Sequence, residues 1–123
     1  MQIEEVARLI VDCSYKVHKT LGPGLLEKIY ESCLCYELER AGCEVKRQIP
    51  VPIQYGDLRF DEGYRLDLLV EGNVICEIKA VDKHNPVWDA QLLSYMKLKN
   101  CRLGFLINFN VPLVKNGIRR KVL

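Results

Sequence analysis

Tyr64–Val81, YRLDLLVEGNVICEIKAV, holds two runs rich in leucine, isoleucine and valine on either side of Glu71-Gly72-Asn73. That pattern reads as a β-hairpin with a short glycine-containing loop. Three charges interrupt the runs: Asp67 in the first, Glu77 and Lys79 in the second. Side chains alternate across a strand, so Glu77 and Lys79 share one face while Val74, Cys76, Ile78 and Ala80 fill the other. A strand this apolar on both faces is expected to be central and covered, where an unpaired carboxylate is costly. Register decides what these charges face. With Glu71-Gly72-Asn73 as a three-residue loop, Val70 pairs with Val74, Asp67 lies opposite Glu77, and Arg65 lies opposite Lys79. A two-residue loop would put Asp67 on the face opposite to Glu77, because a slip of one residue inverts a strand. We adopt the odd loop. Two carboxylates facing each other across about 5 Å repel unless positive charge lies between them. Two sources of that charge are open. One is a divalent metal with oxygen ligands, with Lys79 beside it to orient or deprotonate a water. The other is an ion-pair network in which Arg65 and Lys79 neutralise the two acids.

Outward from the hairpin, the 123 residues suit a single domain, residues 1–123, able to bury about two thirds of its unfolded surface. With 49% hydrophobic and 28% charged residues and no low-complexity run, the composition excludes a disordered chain. No apolar stretch reaches the ~18–20 residues of a membrane span, and Met1 leads into an acidic amphipathic segment unlike a signal peptide. These features predict a cytoplasmic protein without a membrane partner. Cys13, Cys33, Cys35, Cys43, Cys76 and Cys101 lie in or beside periodic segments, not in a dense loop framework, and are expected to be free thiols. The net charge of +2 permits a phosphate-bearing partner without demanding one.

Ile3–Leu21 has helical spacing through Ile3, Val6, Ile10, Cys13 and Val17, acids at its start, and Gly22-Pro23-Gly24 to end it. His18 suits capping of carbonyls near that end. A second helix is predicted from about Leu25 to Ala41, with Leu25, Leu26, Ile29, Tyr30, Cys33, Leu34, Tyr36 and Leu38 on its inward arc. Glu27 and Glu37 fall inside this arc, where a carboxylate is capped, paired or functional. Glu27 in the first turn also complements the helix dipole. Val45–Tyr55 alternates, with Val45, Arg47, Ile49, Val51, Ile53 and Tyr55 on one face, and Pro50 and Pro52 on the other mark an edge or near-edge strand. Gly56-Asp57 turns into Leu58–Glu62. Asn85-Pro86 reads as N-cap and first residue of a third helix reaching about Lys99. Its arc takes in Val87, Trp88, Leu92, Met96 and Leu98, with Gln91 and Tyr95 one turn apart and facing the sheet. Arg102–Phe109 is a further buried strand, parallel to the second hairpin strand through the third helix. Gly117–Leu123 is a basic tail placed to extend the sheet. The order α-α-β-β-β-α-β predicts an α/β fold with helices on the faces of one sheet.

Gly24-Leu25-Leu26-Glu27-Lys28-Ile29-Tyr30 matches the motif that names the GxxExxY family, and the likeness continues through YRLDLLVE, EIKAV, AQLLSY and GFLINFN. That family resembles the PD-(D/E)XK nuclease superfamily, which implies a restriction-endonuclease-like three-layer fold with a mixed central sheet. Asp67 with Glu77-Ile78-Lys79 looks like the acidic residue and the (D/E)XK element. Glu27 takes the place of the first-helix glutamate of many members, and Gln91 to Tyr95 is similar to the QxxxY motif of the recombination-exonuclease branch. Leu66 replaces the nominal proline. The resemblance implies that Asp67, Glu77, the Ile78 carbonyl and Glu27 hold one or two Mg²⁺ or Mn²⁺ ions. It also implies that Lys79 orients the attacking water and that Gln91 and Tyr95 position the strand or the lysine. Lys46, Arg47, Lys97, Lys99, Arg119, Arg120 and Lys121 are basic residues available to phosphates. The expected activity is metal-dependent phosphodiester hydrolysis with nucleic acid as partner, DNA favoured over RNA. The alternative is a non-catalytic nuclease-like module that binds nucleic acid or a protein. A homodimer through the sheet edge or the aromatic helix faces is compatible with either.

Overall fold

Val70 pairs with Val74 across the turn Glu71-Gly72-Asn73, so the hairpin has the expected odd loop. Glu71 and Gly72 take positive φ, 53° and 70°. Around this hairpin, the computed structural model describes residues 1–123 as α1 (Ile3–Leu21), α2 (Glu27–Arg40), β1 (Val45–Tyr55), β2 (Leu58–Val70), β3 (Val74–Lys79), α3 (Pro86–Leu98), β4 (Leu103–Asn108), one 3-10 turn (Val114–Asn116) and β5 (Ile118–Val122). The basic tail does extend the sheet, as β5. The five strands lie side by side in chain order, and β1, with its two prolines, is at an edge. All neighbours are antiparallel except β3 and β4, the pair connected through α3.

Each face of the sheet carries its own core. Val6, Ile10, Tyr30, Leu34 and Leu38 of α1 and α2 pack on Leu68, Val70, Val74, Cys76 and Ile78. On the other face Leu92, Tyr95 and Met96 of α3 pack on Val51, Leu66, Leu69, Ile75 and Leu106. This is the expected three-layer α/β architecture with a mixed sheet. Gly104 lets α3 approach β4 closely: a Cβ there would lie 2.8 Å from Met96 Sδ and 3.0 Å from Leu92 Cδ1. Asn85 caps α3, its side chain accepting from the Val87 amide at 3.0 Å, with Pro86 at the first position as its fixed φ favours.

The structure corrects several readings, and two of them shape the site. The β2–β3 ladder ends after Leu68 and Cys76, so Arg65 does not face Lys79. Arg65 lies opposite Pro50 of β1 and its guanidinium pairs with Glu62. The second correction concerns β1, whose alternation is broken at Gln48, with φ of 53°. Val45 packs on the α1/α2 side while Ile49 and Ile53 pack on the α3 side, so these do not share one face. A left-handed residue turns the chain over. Its neighbour strand turns with it: Leu68 faces α1 and α2, Leu66 faces α3, and Asp67 is the residue between. The helix arcs are also narrower than predicted. Leu25, Leu26, Ile29, Tyr36, Val87 and Leu98 are exposed, because only one stripe of each helix meets the sheet and Leu26 is a cap outside α2. All six cysteines are free. His18 Nε2 lies 2.8 Å from the Val111 carbonyl oxygen, holding a distant loop and not its own last turn.

Candidate active site

Where β2 and β3 part, the two acids fill the gap. The Ile78 amide donates to Asp67 Oδ2 and the Asp67 amide donates to Glu77 Oε2, each at 2.8 Å. The carboxylates thus replace the ladder bonds that the strands no longer make to each other. Glu77 is 3% exposed, and its second oxygen accepts from the Tyr64 hydroxyl at 2.9 Å. Tyr64 is fixed in turn by stacking on Tyr95, with ring centroids 4.3 Å apart. The inward placement of Tyr95 on α3 therefore matters to the site through Tyr64. Gln91 lies half-buried one turn before it.

The electrostatics follow from burial. The Glu77 carboxyl is pushed well above the ordinary carboxylate range by burial and by the charge of Asp67, against the opposing Asp67 amide, Tyr64 hydroxyl and Lys79. Asp67 is raised by burial first, with the Ile78 amide working against it and the charges of Glu31 and Glu27 adding to it. Glu27 is raised by partial burial, which the charge of Lys79 and the Ala80 amide oppose. Burial and the Glu77 charge raise the Tyr64 hydroxyl too, so it remains a donor. None of the ion pairs in the protein includes Asp67, Glu77, Glu27 or Lys79. The neutralising network weighed from the sequence is absent. Lys79 rests its ammonium on the ring of Trp88, 4.6 Å from the centroid.

Glu27 reaches this region because of the residues around it. Tyr30 is fully buried and stacked on Phe109 at 4.7 Å. Its hydroxyl donates to the Gly22 carbonyl at 2.6 Å and accepts from the Leu25 amide at 3.0 Å. The tyrosine of the GxxExxY segment thus ties down the turn that starts α2, and Glu27 opens the helix beside the end of β3. One turn on, Glu31 was not singled out from the sequence, although a spacing of four on a helix puts it on the same face as Glu27. Its Oε2 accepts from Arg47 at 2.9 Å and 3.1 Å, and its Oε1 accepts from Gln48 at 2.9 Å. Glu27, Lys28, Glu31, Arg47, Gln48 and Asp67 line an open groove of about 530 Å³ with no apolar residue. Tyr64 and Trp88 were likewise not singled out, since their contacts with Glu77 and Lys79 are made across elements.

The basic residues do not form one surface. Arg47 is held by Glu31 and Ser32, Arg120 by Glu4 at 2.7 Å and Lys121 by Asp89 at 2.9 Å. The β4–β5 register places Arg119 and Lys121 opposite Leu106 and Gly104 and Arg120 opposite Phe105, hence on the other face. Lys97 and Lys99 lie at the far end of α3, ~15 Å along its axis from Trp88 at 1.5 Å per residue, and Lys46 is exposed on β1. No three His, Cys, Asp or Glu side chains gather into a closed metal cluster. The donor set nonetheless suits Mg²⁺, which keeps several waters and binds through one or two carboxylates plus substrate phosphates. Buried Glu77 and half-buried Asp67 have no basic side chain as ion-pair partner, and both offer hard oxygen donors.

A three-layer sandwich whose central antiparallel pair opens around two acids is a nuclease-like fold of the restriction-endonuclease type. A family model of the PD-(D/E)XK nuclease superfamily matches residues 4–121, and the chain belongs to that superfamily. No curated protein and no solved structure gives a significant match. No helix is long and apolar enough to cross a membrane.

Proposed function

We propose that the protein hydrolyses phosphodiester bonds of nucleic acid with Mg²⁺ or Mn²⁺, DNA being favoured over RNA. The observation that carries this reading is the adjacency of Glu77, buried, and Asp67, half-buried, neither of which has a lysine or arginine as an ion-pair partner. Such a pair is expensive in a protein interior unless a positive ion joins it. Asp67, Glu77 and the Ile78 carbonyl would hold the ion, with Glu27 completing the set directly or through water. When bound, the ion polarises a phosphoryl oxygen and offsets charge that develops on the phosphate.

The chain itself does the positioning. The cross-strand amides and the Tyr64 hydroxyl fix the two carboxylates before any substrate arrives, which lowers the reorganisation needed during reaction. Lys79 orients the attacking water from the α3 side once its ammonium, which lies over the Trp88 ring, turns toward the acids. Gln91 and Tyr95 set the position of the strand and, through Tyr64, of Glu77. Purified protein with Mn²⁺ should nick or degrade labelled single- or double-stranded DNA or RNA, and Lys79→Ala should lower the rate about 100-fold or more. Equal rates for wild type and Lys79→Ala on every substrate refute the proposal. The non-catalytic module is favoured by one observation, that no three acid, histidine or cysteine side chains converge closely enough to hold an ion. It predicts nucleic-acid binding that neither Mn²⁺ nor Asp67→Asn alters.

A further inference from the structure

Beyond the fork, Lys79 also lines a separate pocket. This cavity of about 160 Å³ lies at the ends of β3 and β4, with Lys79, Trp88, Asn116 and Arg119 among its walls. Asn108, opposite Lys79 in the ladder, shapes it by bonding both backbone groups of Val81, at 3.1 Å and 3.0 Å. Two features give the pocket a positive character. Lys79 and Arg119 come from separate strands, β3 and β5, and neither has an ion-pair partner. The carboxylate present, Asp82, accepts from the Asn110 amide at 2.8 Å. One water needs ~10–15 Å³ on this measure, so the pocket has room for a tetrahedral oxyanion.

We infer that the pocket between Lys79, Trp88 and Arg119 binds a phosphate group of the substrate strand, next to the phosphate cleaved at the fork. This rests on the proposed nuclease function for its biological meaning. A lysine with an arginine fork is the side-chain chemistry that recognises phosphate oxygens, and the Asn116 amide adds a neutral donor. Lys79 stands between the two places, the carboxylate fork on one side and the cationic pocket on the other. A strand anchored in the pocket would be drawn across the acids, although the mildly basic chain as a whole exerts little pull.

Trp88 is the sole tryptophan, so its fluorescence reports on the pocket without any catalysis. In EDTA, titration of wild type and Asp67→Asn with inorganic phosphate should give a saturable change in emission beyond that of chloride at matched ionic strength. Arg119→Gln should weaken this binding about tenfold, the effect of losing one charge-assisted contact, and Arg119→Lys should restore part of it. Arg119 is exposed on an edge strand, and melting temperatures verify that the variants fold. Oligonucleotides with a 5′-phosphate, with a 5′-hydroxyl and in closed circles then identify the source. Preference for the 5′-phosphate shows a terminal group and equal binding of the circle shows an internal one, each supporting the pocket when Arg119→Gln weakens it. The inference is overturned if phosphate gives no saturable signal or if Arg119→Gln binds phosphate as wild type does. Phosphate binding without hydrolysis of any substrate would instead overturn the nuclease reading and leave the pocket standing.

Discussion

Asp67 and Glu77 each accept a hydrogen bond across the gap between their strands, Asp67 from the Ile78 amide and Glu77 from the Asp67 amide, both at 2.8 Å. The two carboxylates are therefore structural and electrostatic at once. They close the end of a ladder and concentrate negative charge where the sheet opens.

Metal binding should appear as stability. Free Mn²⁺ at about 100 times its Kd adds about 2.7 kcal/mol to a folded protein that alone binds it, and each kcal/mol raises Tm by ~3–5 °C at this size. Thermal-shift titration should show this for wild type and not for Asp67→Ala. An equal shift in both proteins means that the ion binds elsewhere.

The metal-free protein should become less stable as pH rises. Burial holds the Asp67 and Glu77 carboxyls above their ordinary values, and the Asp67 charge adds to this for Glu77. In the folded state they keep protons that the unfolded chain releases near pH 4. Their contribution is fully present below that pH and is lost as pH rises through the raised folded values. In EDTA, Tm should fall from pH 5 to pH 8, and Glu77→Gln should flatten the fall. A Glu77→Gln profile that falls as steeply as wild type excludes these carboxyls as the cause.

Tyr64→Phe keeps the stack on Tyr95 but removes the donor to Glu77. Losing a hydrogen bond to a buried charged group costs about 1.5–3 kcal/mol, so urea unfolding should show a loss of that order at pH 8. At pH 5, with Glu77 protonated, the loss should be smaller. The same cost at both values would show that the hydroxyl does not serve the carboxylate.

Glu31→Gln should destabilise by about 1–2 kcal/mol, since Glu31 is buried but its partner Arg47 is 38% exposed and partly screened. Arg47→Ala should lose similar stability, and the double variant should lose less than the sum. Additive losses would mean that Arg47 and Glu31 act independently. A fall in nucleic-acid affinity at unchanged stability would return Arg47 to the role of a phosphate contact.

The local periodicities were enough for the helices, the edge position of β1, the three-residue loop and the parallel return through α3. They rest on short-range causes: the period of two or 3.6, a proline without its amide, and a cap at Asn85. The predicted helix arcs were too wide because a wheel counts apolar positions, whereas burial depends on how the helix leans on its sheet. Leu26 and Tyr36 remain exposed for that reason. Helical spacing places Glu31 on the face of Glu27, but the partners that give Glu31 and Tyr64 their roles, Arg47 and Glu77, are 16 and 13 residues away, and no local pattern joins them.

By itself, the order of residues determined which acids would meet, because strand alternation and an odd loop force Asp67 and Glu77 to adjacent positions. Only the tertiary structure decided that the strands part there, that Gln48 and Asp67 mark the turnover of both strands, and that Lys79 leaves the acids to rest on Trp88. Those outcomes depend on packing between elements distant in the chain, and local spacing carries no information about which distant side chain fills the opened gap.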